Sequence, residues 1–170
     1  MSEYSPLMQS KTKPKIEEVI SEYLDGNMRE TATAFVEHMH VNKMSLRWGS
    51  KDRYKALYKK SVICWVDLNQ ALTPVKWRIS PCLTNIAEYE EFVLNEGWQD
   101  FILDKLSYCK PCNPDRGCSG GNKLSILGKD FNGICQAIIH HNIRINFDDP
   151  NEMSTSRIKK LLELEQQARL

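Results

Sequence analysis

The sequence predicts an α+β protein: an antiparallel sheet of about four to six strands packed with helices, with a cysteine-rich metal-binding loop set into it. Three patterns carry that expectation. Apolar residues recur at helical spacing near both ends of the chain, they alternate with period two through the middle, and four of the six cysteines crowd between residues 109 and 135.

Residues 1–13 show no periodicity and read as a flexible lead-in, which leaves 14–170 as a single domain with residues 108–135 as the cysteine-rich loop inside it. Ile16, Val19, Ile20, Tyr23 and Leu24 then fall on one helical face, with Gly26 as a left-handed cap. Asn27, with Glu30 three residues on, opens a second helix striped by Met28, Ala32, Phe35, Val36 and Met39. From Met44 the period changes to two. Met44, Leu46 and Trp48 alternate; Val62, Cys64, Val66 and Leu68 alternate with Ile63 and Trp65 on the other face; Val75, Trp77 and Ile79 alternate again. Successive side chains of a pleated strand point to opposite faces, and aromatic and β-branched residues suit that surface. Breaks at Gly49-Ser50, Lys59-Lys60 and Thr73-Pro74 suit hairpin connections and imply a meander of three or four strands.

Asn85 with Glu88 opens a third helix along Ile86, Tyr89, Phe92 and Val93 that ends at Gly97, and Trp98, Phe101, Ile102 and Leu106 mark a fourth. From Tyr108 to about Asn122 the composition turns to Cys, Pro, Gly and Asn, with no apolar period. After a short apolar piece at 124–127 comes a longer alternating strand, with Ile139, His141, Ile143, Ile145 and Phe147 on one face. Asp149-Pro150 starts a last helix, Glu152 completes its cap, and Met153, Ile158, Leu161, Leu162 and Ala168 form its stripe.

With 23 Lys+Arg against 22 Asp+Glu in 170 residues, the chain lacks the overall positive charge of a nucleic-acid binder. Its longest uninterrupted apolar run, residues 62–66, falls far short of the roughly 20 residues that span a bilayer, so no membrane partner is expected. Residues 1–15 are polar, carry Lys11, Lys13 and Lys15, and have no hydrophobic segment behind them. A cytoplasmic address is the expectation.

Cys109, Cys112, Cys118 and Cys135 are spaced C-x2-C-x5-C-x16-C. Thiolates two residues apart in a Pro- and Gly-bearing loop can face one centre, and two more complete the tetrahedron that zinc accepts in a structural site. The intervening segment has too few apolar side chains to hold itself, so a bound ion would supply the cohesion. Lys110, Arg116, Lys123 and Lys129 would offset the negative charge of a four-thiolate zinc centre. Such a closed site leaves no open coordination position for hydrolysis. His140 or His141 could replace Cys135, and an iron–sulfur cluster uses the same ligands. Free thiols in a surface loop are the plain alternative. Cys109-Lys-Pro-Cys112 also resembles the Cys-Gly-Pro-Cys of thioredoxins, where the motif follows a strand and opens a helix. Here it follows a helix and runs into Asn113-Pro114-Asp115, a turn. Cys64 reads as a small buried hydrophobe and Cys82 as a packing residue at a strand end.

Trp48, Trp65 and Trp77 fall on three neighbouring strands, where with Tyr58 and Arg78 they could line a site with an aromatic floor for a small molecule or a protein partner. Core packing explains aromatic strands equally well. Only one face of the sheet needs to be core, so Trp65, opposite the Cys64 face, is the most suggestive. Residues 51–60 hold five basic residues and two tyrosines. Arg53, Lys55, Lys59 and Lys60 could bind nucleic acid, or the segment is a solvated hairpin. His38 and His40 sit two apart on a helix and cannot share a metal. No Gly-rich phosphate loop, nucleophile elbow or His-Glu-x-x-His is present, which weighs against an enzyme.

Ser45-Leu46-Arg47-Trp48, the basic strand, Val62-Ile63-Cys64-Trp65 and Trp77-Arg78-Ile79-Ser80-Pro81 resemble the strand order of the YdhG-like bacterial domains of unknown function. The cysteine segment, followed by Ile126-Leu127-Gly128-Lys129-Asp130-Phe131, Asp149-Pro150 and Ile158-Lys159-Lys160-Leu161-Leu162-Glu163, resembles the tail of small uncharacterised proteins from anaerobic Gram-positive bacteria. The resemblance covers about residues 43–168. It implies a compact cytoplasmic α+β domain and brings no activity or catalytic residue.

The functional expectation is therefore a cytoplasmic, non-catalytic domain that binds a small ligand or protein partner through its aromatic sheet face and holds structural zinc at Cys109, Cys112, Cys118 and Cys135. A thiol-redox or iron–sulfur protein using Cys109 and Cys112, and a nucleic-acid module using the basic strand, are the alternatives.

Overall fold

The computed structural model describes residues 11–50, 52–68, 74–107, 122–134, 136–137, 142–143 and 145–170. Two helices lead, α1 (Ile16–Tyr23) and α2 (Gly26–Val41). Helix α1 buries Ile16, Val19 and Ile20, and the chain leaves it extended at a buried Leu24. Gly26 is left-handed (φ +48°) as expected, but it opens α2 rather than closing α1. Asp25 takes the cap position, so Asn27 and Glu30 lie within the helix and form no capping box. Ala32, Phe35, Val36 and Met39 are buried along α2, the stripe the sequence implies.

The meander follows as β1 (Ser45–Ser50), β2 (Arg53–Tyr58), β3 (Ser61–Asp67) and β4 (Arg78–Pro81). It forms one antiparallel sheet in the order β1-β2-β3-β4-β9, where β9 is Phe147–Asp148. The β2–β3 turn places Lys59 and Lys60 both at positive φ, the backbone that matches the twist of a two-residue hairpin. Each of these two hairpins carries a register irregularity. Trp48 faces Tyr54 but Ser50 faces Arg53, so Gly49 is an extra residue; Ala56 faces Cys64 but Leu57 faces Val62, so Ile63 is extra. The second bulge corrects the sequence reading of β3. It turns Ile63 into the core beside Cys64, whereas Val62 is only half-buried.

A 3-10 turn (Ile86–Tyr89), α3 (Glu90–Asn95) and α4 (Gln99–Leu103) come next. The 3-10 turn and α3 together fill the span of the third helix the sequence predicts, from Asn85 to Gly97 (φ +65°), while α4 is shorter than the fourth. Strands β5 (Asn122–Ile126) and β6 (Lys129–Ile134) form a hairpin whose Leu127-Gly128 turn again has both φ values positive. Of the long strand expected over 139–147, residues 139–141 and 144 lie outside the described residues. Its described parts are β8 (Asn142–Ile143), paired with β7 (Gln136–Ala137), a bridge from Ile145 to Leu106, and β9 on the main sheet. Helix α5 (Glu152–Ala168) is capped by the Asn151 side chain, which accepts from Ser154 N at 2.9 Å. Asp149 serves β4 instead, accepting from the backbone N–H groups of Lys76 and Trp77. Ile158, Leu161 and Leu162 are buried, but Met153 is 65% exposed and lies off the stripe.

Helices α1, α2 and α5 cover the face of the sheet that carries Tyr54, Ala56, Cys64, Val66 and Ile79, all fully or almost fully buried. These residues join one core with Phe35, Trp77 and Phe147; Phe35 meets Trp77 edge-on at 6.4 Å. The fold is α+β, as expected.

Candidate functional site

Period two means that residues facing each other across the antiparallel ladder share a side of the sheet. Trp48, Tyr54, Val66 and Ile79 are on the helix side, while Arg47, Lys55, Trp65 and Ser80 form a row on the outer side. A second outer row runs Arg53, Asp67, Arg78 and Asp148.

That geometry separates the five residues proposed for an aromatic floor. Trp77 is fully buried in the core. Trp48 is on the helix side at the edge strand, beside α1. Tyr58 ends β2 and borders clefts toward α5 and the Thr84–Asn85 turn. Only Trp65 and Arg78 share the outer face. Of the basic stretch, Arg53 and Lys55 point outward, Lys59 and Lys60 are exposed at the turn, and the Tyr54 hydroxyl is buried and donates to Pro14 O at 3.0 Å.

Trp65 is half-buried and held in place from two directions. The Arg53 guanidinium lies 4.8 Å from its ring centroid. On β1, a Cβ at Gly49 would lie only 3.1 Å from Trp65 Cζ3, so the missing side chain makes room for the indole. Arg53 is anchored in turn by Asp67, with Nε 2.8 Å from Oδ1. Arg78 pairs with Asp148, and that hydrogen bond holds its guanidinium protonated still more firmly than usual. Next to them Arg47 and Lys55 face each other directly across β1 and β2, and neither makes an ion pair among the described residues. The sequence points to Trp65, Arg53 and Lys55 as site residues, but marks Gly49 only as a hairpin break and Arg47 only as part of a strand. The signal for both was the register of the first hairpin, which fixes what stands opposite Lys55.

Cys109, Cys112, Cys118 and Cys135, together with His140 and His141, lie outside the described residues. Among the described residues no group of three or more His, Cys, Asp and Glu side chains is placed to hold a metal ion. Cys64 and Cys82 are buried free thiols, and burial, reinforced by the nearby Cys82, pushes the Cys64 thiol well above its ordinary range. His38 is partly buried, which lowers its pKa, with Glu163 acting in the opposite sense at 3.6 Å.

Fold and face together define a class: an α+β domain with helices on one side of an antiparallel sheet and a basic, tryptophan-bearing surface on the other. Compared with family models, curated proteins and solved structures, the chain matches none. Among the described residues no helix is long and apolar enough to cross a membrane.

Proposed function

We propose that the chain is a non-catalytic binding domain whose ligand site is the outer face around Trp65, and that the ligand is a small anion bearing a planar ring. The Arg47–Lys55 pair carries this reading. Like charges directly opposite each other on a sheet are destabilising, and a bound anion between them removes the repulsion. Beside the pair, the Arg53 guanidinium stacked on Trp65 offers a flat cationic surface to a ring. The cysteine segment is proposed to hold a structural zinc ion, on the strength of its ligand spacing, and so to brace the chain beyond α4.

Calorimetric titration with adenosine monophosphate, with adenosine as the neutral control, tests the outer face. The phosphate form is expected to bind clearly tighter, and Lys55→Ala to weaken it by about fivefold to tenfold, in line with loss of one charge-assisted contact. Equal binding of the two compounds, or an unchanged affinity in Lys55→Ala, overturns the proposal.

A further inference from the structure

On the helix side of the same edge strand a cavity of about 530 Å³ opens between the lead into α1 and strand β1. Its walls are of two kinds. Ile16, Leu46 and the Trp48 ring are apolar, whereas Lys13 and Lys15 are cationic. The carboxylate on its wall, Glu17, is already engaged by His40 at 2.9 Å. The N-terminal turn of α1 is likewise occupied, because the Glu18 carboxylate accepts from the Lys15 backbone N–H. The cations therefore face a space in which no described carboxylate remains unengaged. At the same place the indole N–H of Trp48 is buried and, among the described residues, has no acceptor. A buried donor without a partner costs stability until something accepts from it.

We propose that this cavity is a site for a small organic anion. Its apolar body lies against Ile16, Leu46 and the Trp48 ring, and its carboxylate or phosphate lies toward Lys13 and Lys15, where a modest turn of the indole lets Trp48 Nε1 donate to it. The volume falls within the range of ordinary small-molecule pockets. The site is independent of the outer-face reading, since Lys55 and Trp65 are on the other side of the sheet.

Phenyl phosphate, benzoate and the neutral benzyl alcohol serve as probes, with binding followed by calorimetry and by indole NMR signals. Both anions should bind at least about tenfold tighter than benzyl alcohol, as expected for charge-assisted bonds. A preference for one anion over the other identifies which headgroup the site takes. The Lys13→Ala/Lys15→Ala double variant, altered only at exposed side chains, should abolish the preference for anions over the alcohol. Trp48→Phe keeps an aromatic ring and removes the donor, and should weaken anion binding by about tenfold while leaving benzyl alcohol unaffected. Because phenyl phosphate and benzoate also fit the outer face, the titrations are made in the Lys55→Ala background, and the Trp48 indole signal reports binding in this cavity. The inference is overturned if the alcohol binds as well as the anions, if none binds, if the double lysine variant retains the preference, or if anion binding leaves the Trp48 indole signal unmoved.

Discussion

Glu165 is a carboxylate with no exposed surface, and it survives burial because donors surround it. Thr84 Oγ1, Asn85 N, Asn85 Nδ2, Tyr89 OH and Arg169 Nε all donate to its two oxygens, at 2.7–3.1 Å. Burial, and then the adjacent Glu165 charge, push the Tyr89 phenol far above its ordinary range. Arg169 also reaches Val62 O and Cys82 O, so a single ion pair ties α5 to β3 and to the end of β4. Removing one partner of a buried pair leaves the other uncompensated. Glu165→Ala should therefore cost about 3–5 kcal/mol in urea unfolding; a loss below about 1 kcal/mol would show that the cluster adds little. Sequence reading gave Asn85 a local role, with Glu88, in starting a helix. Its actual acceptor lies 80 residues away, and no local pattern reaches that far.

At the scale of elements, what periodicity could read was the alternation, and it placed the meander and put Trp65 opposite Cys64. In β3, where it fails, a single extra residue is responsible. The bulge at Ile63 brings two consecutive side chains inward, and apolar character alone does not reveal which residue is unpaired. The bulge at Gly49 matters more for the binding face. A methyl group there would meet Trp65 Cζ3 at 3.1 Å and the Arg53 carbonyl at 3.3 Å, and that carbonyl belongs to the strand backbone and cannot swing aside. Gly49→Ala should displace the indole and its stacked guanidinium, at a cost of about 1–3 kcal/mol, and should reduce adenosine monophosphate affinity. Wild-type affinity in that variant would mean that the Trp65–Arg53 stack takes no part in binding.

For the molecule as a whole, the cysteine spacing makes a statement that the fold leaves to chemistry. Protein purified without chelator should carry about one zinc ion per chain, and Cys112→Ser or a strong chelator should release it and lower the melting temperature. Metal-free protein of unchanged melting temperature would remove zinc from the account, and iron with visible absorption would replace it with an iron–sulfur centre. Cys64 and Cys82 should resist alkylation until the chain unfolds, so they separate cleanly from the other four in a thiol count. The clamp at Glu165 and Arg169 has a further implication for biosynthesis. Strands β1 to β3 are complete once Asp67 has been made, yet the helix that seals their apolar side is finished only with Arg169, 102 residues later (169 − 67 = 102). At ribosomal rates of about 5–20 residues per second, that side stays uncovered by α5 on the nascent chain for roughly 5–20 seconds. During that interval α1 and α2, made before the strands, are the helices already on hand to cover that side.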